Sequence, residues 1–108
     1  MKNGLYSVKF SAQGQGGGAG VVVLQDGQVR GGDSGSFYRG TYSATNGQFS
    51  AQVSIRNHFF HPSMEYLFGR EGGEVSLSGT YTEDSAHATA TSPQLPITLD
   101  CHFELVAD

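Results

Sequence analysis

The chain has 108 residues, with six Lys and Arg against ten Asp and Glu and a formal net charge of −4. This length suits one domain, residues 1–108, that buries enough surface to be stable without cross-links. The few basic residues are spread along the chain, which argues against nucleic-acid binding, and no apolar run reaches the roughly 20 residues of a membrane-spanning helix. The N-terminal segment lacks the apolar stretch of a signal peptide. We therefore expect a cytoplasmic protein without membrane contact.

Apolar and polar residues alternate with a period of two, and no convincing stretch has the 3.6-residue period of a helix. In chain order, this pattern predicts strands at about 4–10, 19–25, 28–31, 35–43, 48–57, 65–69, 74–82, 86–92 and 96–106. Asp26-Gly27 and Asn46-Gly47 predict tight hairpin turns between their flanking strands. Short connections in meander order predict an all-β fold, a small antiparallel up-and-down barrel of about eight strands.

Aromatic residues on the predicted strands are expected to fill the barrel interior, because barrels of about eight strands are just wide enough for side chains. They are Tyr6, Phe10, Phe37, Phe49, Tyr81 and Phe103. The sequence leaves open whether these side chains fill the interior completely or leave a cavity for a small ligand.

Two connections are predicted to be longer than the rest, at 11–18 and 58–63. The first is rich in glycine, but it leads into the strand residues 21–24 rather than into a helix N-terminus. A flexible hairpin connection is therefore favoured over a phosphate-binding loop. Long loops at one end of a barrel commonly form its mouth.

Candidate catalytic and metal-binding residues are few. His58 and His61 have an H-x-x-H spacing with Glu65 nearby, but the intervening phenylalanines and a following proline disfavour a continuous helix. A structural or solvated role is favoured over a zinc site. Cys101 and His102 are neighbours on a strand and point to opposite faces, so they are not a nucleophile and its base. We expect a protein that is not an enzyme, with no metal and no cofactor.

Two further groups are candidates for an interaction role. One surrounds an irregular segment and either caps the barrel or forms an exposed apolar patch for a partner: Phe59, Phe60, Met64, Tyr66 and Phe68. The other predicts a bulge or sharp corner between strands: Gly31, Gly32 and Asp33, followed by Tyr38 and Gly40. For this second group, corner geometry alone is favoured over ligand binding.

The same corner residues, together with 2–10, 20–24 and 26–29, resemble the GrlR-like family of negative regulators of type III secretion in enteropathogenic bacteria. The resemblance covers roughly residues 2–57. It implies a lipocalin-like barrel of eight strands, often a dimer, that sequesters a transcriptional activator through an acidic surface loop. The corresponding hairpin in this chain, residues 43–48, has no acidic residue.

Two hypotheses of function stay open. The first is a binding or regulatory module of the GrlR-like type, which acts through protein–protein contacts and has a packed interior and an exposed patch within 58–68. A strand edge or apolar surface that needs cover predicts that this module is a homodimer. The second is a carrier of a lipid or another apolar small molecule, which predicts an interior void of roughly 300 Å³ or more, open at one end.

Overall fold

The structure is a computed structural model that describes residues 1–12, 15–60 and 71–108. These residues form eight antiparallel strands, each paired with the next, and β8 pairs with β1 to close a barrel. The strands are β1 (Gly4–Ala12), β2 (Gln15–Gln25), β3 (Gln28–Gly32), β4 (Ser36–Thr45), β5 (Gln48–Asn57), β6 (Gly73–Tyr81), β7 (Ser85–Ser92) and β8 (Leu95–Ala107). The predicted fold class is confirmed. The strand predicted at 65–69 lies outside the described residues. In the described ranges, no helix has the length and hydrophobicity needed to cross a membrane.

The glycine-rich segment differs from its prediction. The connection predicted at 11–18 is shorter than expected, because residues 11–12 belong to β1 and residues 15–18 to β2. Residues 13–14 lie outside the described residues. Phe10 pairs with Gly18 across the two strands, and a Cβ on Gly18 would lie 2.8 Å from the Phe10 ring. The missing side chain lets this ring lie across the neighbouring strand, while backbone pairing keeps the segment extended.

The two predicted hairpin turns lie at the same end of the barrel. Asp26 and Gly27 have φ angles of 51° and 82°, and Asn46 and Gly47 have φ angles of 52° and 79°. Positive φ at both central residues defines the type I′ turn, whose twist matches that of paired strands. These turns confirm the prediction. We call the half of the barrel beside them the closed half and the half beside the turn at 33–35 the open half.

Aromatic side chains pack the closed half tightly. Tyr6, Phe49 and Phe103 lie in the core as expected, and the ring centroids of Phe49 and Phe103 are 5.4 Å apart. Tyr42 stacks on Phe49 at 6.1 Å, and the Tyr6 hydroxyl donates a 2.6 Å hydrogen bond to the Lys2 carbonyl. The closed half is therefore filled by side chains.

The expectation that Phe37 fills the interior was wrong. It is 39% exposed, whereas its neighbour Tyr38 is 7% exposed and belongs to the core. Adjacent residues of a strand point to opposite faces, so only one of the two can face inwards. Phe10 and Tyr81 are partly buried and pack against the core.

Closure of the barrel also bears on the predicted homodimer. Tyr6 pairs with Leu105, and the ladder between β1 and β8 continues to Ser11 and Asp100. Every described strand therefore has a partner on both sides, and no strand edge needs cover from a second copy. The homodimer stays a prediction that depends on the apolar surface alone.

Candidate ligand cavity

The open half contains a cavity of about 710 Å³. Its walls are mainly aliphatic: Val8, Val22, Val53, Val75, Leu77 and Leu99. Phe49 and Phe103 line it on the side of the closed half, together with Leu24 and Val29. The cavity exists because inward positions here carry small residues, such as Ala51, Ala90 and Cys101, where the closed half carries aromatic rings. Barrels of this size hold either packed side chains or one small ligand.

Asp33 provides a polar group at the rim of the cavity. Its Oδ1 accepts hydrogen bonds from the backbone N–H groups of Gly35 at 2.9 Å and Ser36 at 2.8 Å. Its Oδ2 accepts a hydrogen bond from the Tyr38 hydroxyl. An Asp side chain that bonds to the backbone two and three residues ahead stabilises a turn. Asp33 thus forms the corner between β3 and β4 and fixes the orientation of Tyr38.

Glycines make room for the Tyr38 ring inside the barrel. Tyr38 pairs with Gly31 across β3 and β4, and a Cβ on Gly20 would lie 2.9 Å from the Tyr38 hydroxyl. Burial raises the pKa of the Tyr38 phenol, and the hydrogen bond to Asp33 raises it further. The phenol therefore stays protonated at ordinary pH and donates to the carboxylate.

The structure brings most of the predicted corner residues together. Gly32 ends β3, Gly31 faces Tyr38, and Asp33 bonds to Tyr38. Gly40 lies farther along β4 and pairs with Val29. The predicted corner residues lie at the turn between β3 and β4, and Asp33 and Tyr38 also line the cavity. Nothing in the sequence pattern distinguished this second role from corner geometry alone.

Three exposed phenylalanines lie on the outside of the open half: Phe37, Phe59 and Phe60 at 39%, 49% and 44% exposure. We call them the outer aromatic patch. The Phe59 N–H donates to the Gly35 carbonyl at 3.4 Å, and the ring of His58 lies 6.5 Å from that of Phe37. The patch is therefore next to the corner. Phe37 was not predicted as a member, because alternation with Tyr38 shows only that one of the two side chains faces outwards. Met64, Tyr66 and Phe68 lie outside the described residues.

Cys101 and His102 face opposite sides of β8, as alternation predicts. Cys101 is buried and lines the cavity, where burial, followed by the charge of Asp100, raises its pKa to about 11. His102 is exposed, with its ring 6.1 Å from that of His87. In the part of the chain that the structure describes, no three His, Cys, Asp or Glu residues are placed to hold a metal ion. His61 and Glu65 lie outside that part.

No family model matches the chain, and no curated protein matches it in sequence. Its chemistry is therefore inferred from the cavity itself. Cys101 is held as a neutral thiol with no imidazole on its own face of β8, which is unsuited to nucleophilic attack. Aliphatic walls with a few polar groups at one end are typical of a pocket that binds an apolar molecule.

Proposed function

We propose that the protein binds a small, predominantly apolar molecule inside its barrel. The cavity of about 710 Å³ carries the proposal, because ligand pockets in proteins have volumes of about 300–1,000 Å³. This is the second of the two sequence-based hypotheses. The cavity supports it over the first, which predicts a packed interior.

Burial of apolar surface supplies the binding free energy in this proposal. A ligand that enters the open half exchanges water contact for contact with Val, Leu and Ala side chains, which is worth about 25 cal/mol per Å² of apolar surface removed from water. The backbone around the cavity is a closed ladder of paired strands. The pocket is thus formed before the ligand arrives, which limits the ordering cost of binding.

Titration with N-phenyl-1-naphthylamine, an uncharged fluorophore that brightens in apolar surroundings, tests the proposal. We expect saturable enhancement at one molecule per barrel. The variant Ala90→Phe adds a ring to the cavity wall and should abolish this enhancement. Thr89→Phe is the matched control, because Thr89 is exposed on the same strand and its substitution leaves the cavity unchanged.

Two outcomes would overturn the proposal: no saturable enhancement with the native chain, or equal enhancement by a folded Ala90→Phe variant. Circular dichroism establishes that each variant is folded. Native mass spectrometry of protein purified from its own host, followed by gentle denaturation, would then identify a co-purifying small molecule.

The outer aromatic patch supports a second candidate function, contact with a protein partner. Large apolar side chains exposed close together in the chain and near one corner of the barrel are typical of an interaction surface. The resemblance to the GrlR-like family predicts such contacts, although the hairpin at 43–48 has none of the acidic residues that the family uses.

Sedimentation velocity tests this second candidate with a second copy of the chain as the partner. Phe60→Asp places a charge in the patch and should shift a homodimer towards monomer, whereas Phe60→Tyr should not. A dimer that is unchanged by Phe60→Asp would exclude the patch as its interface, and a native chain that is monomeric at all concentrations would exclude the homodimer.

A further inference from the structure

The cavity has an uneven distribution of charge. Among the described residues that line it there is no Lys, Arg or His, and Asp33 is the single carboxylate. Asp33 lies at the open end, while the opposite end of the cavity is formed by Phe49 and Phe103. An elongated apolar ligand would therefore place its tail against the aromatic rings and its polar group beside Asp33.

Hydrogen-bonding capacity at Asp33 determines which polar group fits there. An ionised carboxylate accepts about four hydrogen bonds, and Asp33 receives three from Gly35, Ser36 and Tyr38. The Tyr38 oxygen uses its proton towards Asp33 and keeps its lone pairs for a further donor. The pair of Asp33 and Tyr38 thus offers acceptors to a ligand, and its one O–H is already engaged.

A ligand carboxylate would meet unfavourable conditions at the same place. It would come close to a like charge in a partly buried site, and no described cationic side chain lines the cavity to compensate it. Like charges and uncompensated burial both disfavour the ionised form. A hydroxyl or an ammonium group would instead donate to Asp33 or to the Tyr38 oxygen.

We propose that the cavity selects apolar molecules that carry a hydrogen-bond donor, an alcohol or an amine, over carboxylates of the same chain length. Asp33, held in place by the Gly35 and Ser36 N–H groups and bonded to the Tyr38 hydroxyl, makes the selection. This inference rests on the proposed function and adds the chemical class of the ligand.

Competition against bound N-phenyl-1-naphthylamine at pH 7.5 tests the selection with three eight-carbon molecules: 1-octanol, octylamine and octanoate. We expect 1-octanol and octylamine to displace the fluorophore at concentrations at least about tenfold lower than octanoate, since a site with buried hydrogen-bonding groups discriminates strongly against a ligand that leaves them unmatched.

Asp33→Asn removes the charge and keeps an oxygen for the N–H groups of Gly35 and Ser36. It should reduce the difference between octylamine and octanoate to less than about threefold, because the like-charge repulsion is gone. Tyr38→Phe is a second variant, which frees the carboxylate from its hydroxyl partner. Asp100→Asn is the matched control, because Asp100 is exposed on the outer face. In this variant the ratio of the displacing concentrations of octanoate and octylamine should equal the ratio measured with the native chain.

The outcomes separate the two proposals. Equal displacement by the three molecules, or tighter binding of octanoate, would overturn the selection and leave the apolar cavity standing. Absence of fluorophore binding would overturn both proposals. A preference for donors that persists in folded Asp33→Asn would remove Asp33 as its cause. If neither variant folds, the ratio measured with the native chain decides whether the selection exists.

Discussion

The interior of the barrel is occupied differently in its two halves. The closed half fills its interior with Tyr6, Tyr42, Phe49 and Phe103 and ends in two-residue turns. The open half surrounds a cavity of about 710 Å³ with Val, Leu and Ala side chains. Strand pairing continues through both halves, so the backbone is similar and the side-chain volume differs.

This difference assigns the packing that stabilises the fold to one half and the proposed ligand binding to the other. Tightly packed side chains make many dispersion contacts, whereas side chains around a cavity lack neighbours on one side. The closed half should therefore contribute most of the packing energy, and its rigidity allows the open half to stay hollow. Functional sites are commonly kept below the packing optimum of their scaffold.

The largest expected effect tests the comparison directly with two buried tyrosines, each of which donates one hydroxyl hydrogen bond. Tyr6 is fully buried in the closed half, whereas Tyr38 lines the cavity of the open half. Tyr6→Ala should lower the free energy of unfolding by about 3 to 5 kcal/mol, because it creates a new void in a packed region. Tyr38→Ala should cost less, about 2 to 3 kcal/mol, since it enlarges a void that already exists. Urea denaturation of both variants measures the difference. Equal losses would mean that the open half is as well packed as the closed half.

A smaller effect, the pH dependence of stability caused by Cys101, tests whether water is excluded from the cavity. Burial raises the pKa of Cys101 from its ordinary 9.0 to about 11. Between these values the unfolded chain releases the thiol proton and the folded chain retains it. The stabilisation is thus complete below pH 9 and is lost as the pH rises through 11, a decrease of about 2 to 3 kcal/mol in the free energy of unfolding.

Urea denaturation at pH 8, 9, 10 and 11 checks this expectation. Cys101→Ala should lose less stability across this range than the native chain, because tyrosine ionisation contributes equally to both. Identical pH dependence in the two proteins would contradict a buried neutral thiol and would indicate that water fills the cavity.

The smallest effect concerns the turn between β4 and β5 at the closed end. A Cβ on Gly47 would have no atom within 4 Å, and the φ angle of Gly47 is +79°. Gly47→Ala should therefore cost about 1 kcal/mol through backbone strain alone. Gly47→Asn is the control and should cost less, because Asn tolerates the left-handed region. Equal losses of stability in the two variants, measured by thermal unfolding, would indicate a cause other than the φ angle of residue 47.

The sequence predicted the strands and turns well where local chemistry decides the structure. Alternation identified β5 and β8, and Asn46-Gly47 specified its own turn type. The prediction was wrong at 15–18, because glycine composition alone does not reveal that the Phe10 ring lies across Gly18. It was wrong at Phe37 because Phe37 and the next residue, Tyr38, are both aromatic, and alternation does not say which of the two faces inwards.

The cavity was beyond sequence-based prediction for a different reason. Its existence depends on the sum of side-chain volumes from all eight strands, measured against a barrel diameter that no local pattern encodes. Asp33 was identified as part of a corner. Its second role depends on the position of Tyr38, which is fixed only when β2 brings Gly20 against the Tyr38 side chain and β3 pairs Gly31 with Tyr38.

The seam between β1 and β8 has a consequence for how the chain folds. Most neighbouring strands are joined by hairpins that close over short loops, and β5 and β6 are joined through residues 58–72, whereas the seam pairs Leu5 with Ala107. Loop-closure entropy rises with the length of chain enclosed, so the hairpins are expected to form early and the seam late. Mutations along the seam should then accelerate unfolding and leave the folding rate nearly unchanged. In a chain with this order of events, the interior becomes enclosed only at the last step.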